Sequence, residues 1–193
     1  MARKMIAALQ ISLDGFTQGS DQGGVEWVDS WADALAFVPD VDAFVQGSGM
    51  YPGYGLYWEA ILADPTREAP YQGRVPTAAE VAYAALAAKT PHYVVSNTLT
   101  SVSWPKTAHI VHGLEELRTL KHQTGKNIYV VGGPSLVTSL LNAELLDELK
   151  LIVHPLLLGG GKALFAGVTQ RRALRFVGAE PIQAGKLLVT YRF

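Results

Sequence analysis

The segment 127–137 constrains the fold of this chain most, because a strand pattern in it runs through two glycines directly into a helix pattern. The apolar, β-favouring residues ahead of the glycines predict a buried strand. Gly132 and Gly133 permit a tight turn, and Pro134 suits a first helical turn. Free N–H groups at such a helix start attract an anion. The segment therefore predicts an α/β protein with a phosphate-binding site. For the segment alone, an ordinary tight turn between strand and helix is the alternative.

Length, charge and composition limit the class of protein. The 193 residues suit one domain, 1–193, and a composition of 49% hydrophobic and 17% charged residues favours a globular chain. A net charge of -1 provides no field to attract nucleic acid or an anionic membrane, so neither partner is expected. The chain has no long apolar segment of the kind found in signal peptides or membrane spans, which favours the cytoplasm.

The absence of cysteine excludes disulfides, thiolate metal sites and cysteine nucleophiles. Four histidines invite a metal site, but no carboxylate stands at ligand spacing from them, so no metal is expected. They are His109, His112, His122 and His154. His154 is flanked by apolar residues and is interpreted as a core or edge histidine.

Strand and helix patterns alternate along the chain and end in a hairpin pattern, which predicts an α/β fold with a mixed sheet. Besides 127–131, strands are predicted at 5–13, 42–46, 92–96, 110–111 and 149–158, with an antiparallel pair formed by 174–176 and 187–193. Helices are predicted at 27–37, from the Thr77–Glu80 capping box, at 114–122, and from Pro134 to about Leu141. Residues 17–24 predict a mobile loop.

Glycine-bearing turns follow four of the predicted strands, where ligands of open α/β sheets bind. These turns lie at 14–15, 47–49, 132–133 and 159–161.

Carboxylates near these turns are candidate proton donors, because a carboxyl group in an apolar cleft has a raised pKa. The candidates are Asp14, Glu26, Asp29 and Asp33, with surface charge or helix capping as the alternative. Trp27, Tyr51 and Trp58 are candidates for stacking on a substrate ring, with core packing as the alternative.

Five segments, in order, resemble the dihydrofolate reductase-like family: 11–16, 47–51, 89–99 with Trp104, 128–133, and 145–151 with 154–161. The most similar branch is the reductase half of the bacterial bifunctional riboflavin biosynthesis enzyme. The resemblance implies a three-layer α/β fold, with helices on both faces of a mixed, mostly parallel sheet and a C-terminal antiparallel hairpin. The deaminase half of that enzyme needs a cysteine-bound zinc, so this chain resembles the reductase module standing alone.

The resemblance also implies NADPH-dependent hydride transfer to a small pteridine-like or pyrimidine-like substrate. Cofactor positions carry over by motif: Gly132, Gly133, Pro134, Ser135 and Leu136 at the pyrophosphate; Ser96, Asn97 and Thr98 at the adenosine; Gly47, Gly49, Met50 and Tyr51 along the cofactor; and Ala8, Asp14 and Gly15 at the nicotinamide. Asp14, Asp29 and Asp33 are the candidate catalytic acids.

Ser48 stands where the family commonly has an arginine that binds the 2′-phosphate of NADPH. A hydroxyl cannot replace the charged, bidentate guanidinium group of arginine, so NADH or a flavin is an alternative cofactor. A nucleotide-binding or flavin-binding protein without turnover is the alternative function. A homodimer is expected from the resemblance and from the apolar segment 149–158, which is a candidate intersubunit surface.

Overall fold

The computed structural model describes residues 3–20 and 25–193. The strands are β1 Met5–Ser12, β2 Phe16–Gln18, β3 Val41–Gly47, β4 His92–Val95, β5 Ala108–Val111, β6 Asn127–Val131, β7 Glu148–His154, β8 Lys162–Ala163, β9 Arg175–Pro181 and β10 Leu187–Arg192. The helices are α1 Tyr51–Ala63, α2 Ala78–Ala87, α3 Leu114–His122 and α4 Pro134–Asn142, with short 3-10 helices at Asp33–Phe37 and Gln183–Gly185. Within the described ranges, no helix is long and apolar enough to cross a membrane.

Eight strands form one sheet in the order β5-β4-β3-β6-β1-β7-β10-β9. The six strands from β5 to β7 are parallel, whereas β10 pairs antiparallel with both β7 and β9. The predicted mixed, mostly parallel sheet and its C-terminal hairpin are therefore confirmed. A second, two-stranded sheet pairs β2 with β8, so residues 17–18 of the predicted loop are strand, and residues 21–24 of that loop lie outside the described part of the chain.

Helices cover both faces of the large sheet. On one face, α1 and α2 pack Tyr57, Trp58 and Tyr83 against Phe44 of β3. On the other face, α3 and α4 pack their leucines against alternate residues of β1, β3 and β6. This alternation follows from the period of two along each strand, and it confirms the three-layer arrangement.

The sequence located some helices accurately and others poorly. The capping box is present, since Thr77 Oγ1 accepts from the Glu80 N–H at 3.2 Å and Glu80 Oε2 accepts from the Thr77 N–H at 2.8 Å. The predicted helix over 27–37 is wrong for most of its length, because only Asp33–Phe37 forms a 3-10 helix. Ser30 Oγ accepts from the Ala32 N–H at 3.2 Å, and this local bond competes with a longer helix.

The apolar segment 149–158 is wrong as an intersubunit surface over its strand portion. β7 lies inside the sheet between β1 and β10, where Leu149 is 0% and Ile152 is 1% exposed. Within the segment, Leu157 is 71% exposed but lies beyond the strand, and the outermost strand of the sheet, β9, exposes Phe176 at 61% and Val177 at 43%. A face available to a second subunit is therefore at β9 rather than at β7.

Candidate active site

The parallel strands bring the predicted turns to one edge of the sheet. β1, β3, β4, β6 and β7 all point the same way, so the turns that follow them meet at their carboxyl ends. The four glycine turns predicted from the sequence all lie at this edge. This is the position at which open α/β sheets bind ligands.

Leu136 holds the start of α4 against two of these turns. A Cβ atom on Gly47 would lie 3.6 Å from Leu136 Cβ, and a Cβ atom on Gly132 would lie 2.6 Å from Leu136 Cδ2. A side chain at position 132 would therefore force Leu136 to shift. A Cβ on Gly133 or on Gly49 would meet nothing within 4 Å, so the backbone at both glycines faces open space.

The first turn of α4 is prepared for an anion. Its N-cap is Gly133, which has no side chain to cap the helix, and Pro134 follows. The first hydrogen bond of the helix runs from the Val137 N–H to the Gly133 carbonyl at 3.3 Å. The N–H groups of Ser135 and Leu136 come before it and have no acceptor within the helix. Two backbone donors and the positive end of the helix dipole thus lie beside the open glycines.

The turn after β4 is fixed by a buried hydroxyl. Ser96 Oγ accepts from the N–H groups of Thr98 at 3.1 Å and Leu99 at 2.9 Å, which leaves Asn97 and Thr98 exposed. His112, at the end of the neighbouring β5, donates through Nδ1 to the Ser96 carbonyl at 2.9 Å. Only its position directly after a strand could have indicated His112 from the sequence.

The two aromatic candidates on α1 belong to the core. Tyr51 Oη donates to the Trp104 carbonyl at 2.7 Å and accepts from the Trp104 N–H at 2.9 Å. Trp58 is 2% exposed and stacks on Tyr83, with ring centroids 4.2 Å apart. Core packing, the alternative to substrate stacking, therefore describes both rings. Met50, by contrast, is 37% exposed at the start of α1.

Ala8 lies at a step in the sheet. β6 pairs with β1 only through Ala7, which is opposite Val130, whereas β1 continues to Ser12. β1 therefore extends past the end of β6, and no strand pairs with that flank of its last residues in the described structure. Ala8 is buried at this step, and Gly15 follows with φ +86.

Asp14 joins the turn after β1 to the loop after β7. Its carboxylate accepts from Ser12 Oγ at 2.5 Å, from the Leu158 N–H at 3.1 Å and from the Gly159 N–H at 2.8 Å. The Ser12 hydrogen bond, followed by those from the two backbone N–H groups, lowers the pKa of Asp14. The ionised carboxylate therefore fits this position best.

Asp29 and Asp33 both lie beside Lys186. The Lys186 ammonium is 2.7 Å from Asp29 Oδ2 and 3.7 Å from Asp33 Oδ2, and the lysine is only 3% exposed. The hydrogen bond from Lys186 lowers the pKa of Asp29. Nothing in the sequence indicated Lys186, because it lies about 150 residues away from its partners along the chain.

His154 is buried, as its apolar flanks predicted, and Trp27 lies against it edge-on at a centroid distance of 4.8 Å. Its Nε2 is 2.8 Å from Gln10 Oε1. Burial, together with the charge of Lys186, lowers the pKa of His154, which favours the neutral ring. Among the described residues, no three histidine, aspartate or glutamate side chains are grouped so that they could hold a metal ion.

The layered eight-stranded sheet, with its glycine turns at one edge, defines a dihydrofolate reductase-like fold. The chain belongs to the RibD C-terminal domain family, whose model matches residues 3–188. The uncharacterized protein YyaP of Bacillus subtilis (strain 168) is 31% identical over 193 residues, covering 99% of this chain and 95% of YyaP.

Two solved structures illustrate the likeness in fold. A putative riboflavin biosynthesis protein from Shewanella sp. PV-4 has a TM-score of 0.67 and 21% identity, covering 100% of this chain and 98% of that one. Dihydrofolate reductase from Enterococcus faecalis, complexed with NADP(H), has a TM-score of 0.64 and 14% identity, covering 100% and 97%. The predicted resemblance is thereby confirmed at the level of family and fold.

Proposed function

We propose that the protein is an oxidoreductase that transfers hydride from a reduced nicotinamide dinucleotide to a C=N or C=O group of a small pteridine-like or pyrimidine-like heterocycle. The observation that carries this proposal is the start of α4, where free N–H groups lie beside the open backbone of Gly49 and Gly133. The family supports it, as does the fold likeness to a reductase complexed with NADP(H). The nicotinamide supplies the hydride, and the protein supplies placement.

Each part of the edge has a role in this proposal. The N–H groups of Ser135 and Leu136 donate to the pyrophosphate, where a bound anion replaces the missing helix cap. The exposed side chains of Asn97 and Thr98 contact the adenosine. Ala8, at the step beside β6, lies beneath the nicotinamide.

In this proposal the carboxylates hold other groups in place and do not donate a proton to the substrate. A proton donor must hold its proton near neutral pH, whereas the pKa values of Asp14 and Asp29 are lowered. Asp33 lies near the same ammonium as Asp29. In this proposal Asp14 holds the shape of the turn, and Asp29 and Asp33 pair with the Lys186 ammonium. The proton reaches the substrate from solvent.

Titration of the purified protein with NADPH and NADH tests the proposal through the fluorescence of its tryptophans. Saturable quenching by at least one cofactor is expected, followed by cofactor oxidation when pteridines or pyrimidines are added. Quenching by neither cofactor would contradict the proposal. Saturable binding without oxidation of the cofactor across such a panel would favour the alternative, a nucleotide-binding protein without turnover.

Replacing Ser48 by arginine is expected to tighten NADPH binding selectively. The Ser48 N–H donates to the Val95 carbonyl at 3.2 Å, so its side chain starts beside the turn that carries Asn97. A hydrogen bond to a charged phosphate contributes about 1.5–3 kcal/mol, roughly tenfold to a hundredfold in Kd. Fluorescence titration of Ser48→Arg measures this change, with Ser48→Gln as the uncharged control. Equal tightening of NADPH and NADH would contradict the prediction.

We further propose that the protein forms a homodimer through β9. This strand ends the sheet and exposes Phe176 and Val177. Antiparallel pairing of two copies about a centre between Val177 and Gly178 would place Arg175 of one copy opposite Glu180 of the other. Such a pairing matches charges and covers an apolar edge.

Light scattering at micromolar concentration is expected to give twice the mass of one chain. Phe176→Glu places like charges at the paired edge and is expected to give a single-chain mass. Leu62→Glu is the matched control, because Leu62 is also exposed, at 44%, but lies on α1. A single-chain mass for the unaltered protein, or a dimer that survives Phe176→Glu, would contradict this assignment.

A further inference from the structure

Gln10 occupies the step beside the proposed nicotinamide position. It lies on β1 two residues beyond Ala8, on the same side of the strand, and is half-buried. β7 pairs with it through Ile152 on one flank, whereas β6 has already ended on the other. Its side chain therefore lines the candidate site at the point where β6 ends beside β1.

Two buried partners fix the orientation of the Gln10 amide. Nε2 lies 2.7 Å from the Ser30 carbonyl, which can only accept a hydrogen bond, so the nitrogen must be on that side. Oε1 then faces His154 Nε2 at 2.8 Å and accepts from it. Reversing the amide would bring its oxygen against the Ser30 carbonyl. Ser30 and His154 are 5% and 3% exposed, so neither partner turns away to solvent.

Among the described residues, this fixed amide has one N–H and one lone pair without a partner. Glutamine carries two donors on nitrogen and two lone pairs on oxygen, and Ser30 and His154 use one of each. A ligand group that offers both an acceptor and a donor complements this remaining pair, and a lactam edge, in which an N–H stands beside a C=O, is such a group. Paired donors and acceptors of this kind discriminate between flat rings, as glutamine does with adenine.

The geometry points to Gln10 as the residue that selects a substrate with a lactam edge, with His154 and Ser30 as the positioning residues that fix its orientation. This inference rests on the proposed function, because it places the substrate ring next to Ala8. Trp27, edge-on to His154, supplies an aromatic wall on the same side. A purely structural role for Gln10 would affect stability but would not distinguish between ligands that differ only at the lactam nitrogen.

Lumazine and 1,3-dimethyllumazine form the matched probe pair, since methylation at N1 and N3 removes the N–H beside each lactam C=O and leaves the ring system in place. Isothermal titration calorimetry is expected to show that the unaltered protein prefers lumazine by roughly 5-fold to 150-fold. Gln10→Met, which keeps the length of the side chain, is expected to abolish the preference while NADPH binding is unchanged. Gln10→Asn keeps the amide but draws it back, and is expected to lose the preference as well.

Thermal unfolding of both variants shows that they are folded. Equal binding of the two lumazines by the unaltered protein, binding of neither, or a preference that survives both substitutions would overturn the inference. If NADPH binds but no Gln10-dependent preference exists, this inference fails and the proposed function stands. If the preference depends on Gln10 but neither NADPH nor NADH binds, the proposed function fails and the assignment of Gln10 stands.

Discussion

Replacing Gly161 by alanine is expected to lower the free energy of unfolding by about 4 kcal/mol or more, which places it among the largest effects of single substitutions. Gly161 has φ +125, a backbone conformation that side chains rarely adopt. A Cβ atom there would lie 2.0 Å from the Gln18 carbonyl oxygen and 2.8 Å from the Gly19 carbonyl carbon. Both are backbone atoms, so no side-chain rotation relieves the contact, and the pairing of β2 with β8 would have to open.

Urea unfolding of Gly161→Ala and Gly159→Ala measures this effect with a control from the same run of glycines. Gly159 also has a positive φ, +70, but a Cβ there meets nothing within 4 Å. Its replacement is expected to cost only about 1–2 kcal/mol for the left-handed backbone. Equal losses for the two variants would mean that the close approach to Gln18 is not the cause.

Replacing Arg74 by methionine is expected to lower the free energy of unfolding by about 3–5 kcal/mol, since it strands a buried charge. Arg74 donates through Nη1 to Glu80 Oε2 at 2.8 Å and through Nη2 to Glu80 Oε1 at 3.0 Å. The Glu80 side chain is 0% exposed, whereas that of Arg74 is 32% exposed. Removal of the arginine therefore leaves the buried carboxylate of Glu80 without a counter-charge and without water to solvate it.

The same pair determines an acid dependence. Burial alone would raise the pKa of Glu80, but hydrogen bonds from Arg74, the Thr77 N–H and Tyr57 outweigh it and lower the pKa to about 2. The folded pKa is therefore below the unfolded value of 4.5. Stability from this group is present above pH 4.5 and is lost as the pH falls towards 2.

Unfolding as a function of pH in the unaltered protein, Arg74→Met and the double variant Arg74→Met/Glu80→Gln checks both statements. The double variant is expected to recover much of the loss, because a neutral amide still bonds Tyr57 and needs no counter-charge. A double variant no more stable than Arg74→Met would show that the stranded charge is not the cause. Asp14 and Asp29, whose pKa values are also lowered, leave a residual acid dependence in the double variant. An acid dependence as large in the double variant as in the unaltered protein would show that Glu80 does not contribute to it.

The parts of the fold that local patterns specify were predictable. The strand before Gly132 and the α3 helix at Leu114–His122 follow from periodicity and turn residues within a few positions of each other. α1 was not predicted, because Pro52, Gly53 and Gly55 disrupt its first turns. That helix forms because Tyr57 and Trp58 are buried in the core, and such tertiary burial outweighs local propensity.

The polar contacts of the candidate site were less predictable than its turns. Glycines at strand ends are visible in the sequence, and their convergence follows from parallel pairing. The pairing of Lys186 with Asp29 and of His154 with Gln10 depends on segments brought together from distant parts of the chain. A sequence shows which groups are present there, but the register of a sheet decides which of them meet.

The early end of β6 gives the sheet an internal edge. Beyond Ala7, no strand pairs with one flank of β1 in the described structure, although β1 continues to Ser12. On this flank the Ala8 carbonyl accepts from Tyr129 Oη and the Ser12 carbonyl accepts from the Gly15 N–H, which leaves the backbone of Gln10 between them for a ligand that lies along the flank. Amide hydrogen exchange at Gln10 therefore serves as an intrinsic reporter of occupancy, because slower exchange there would record the arrival of a ligand without any label.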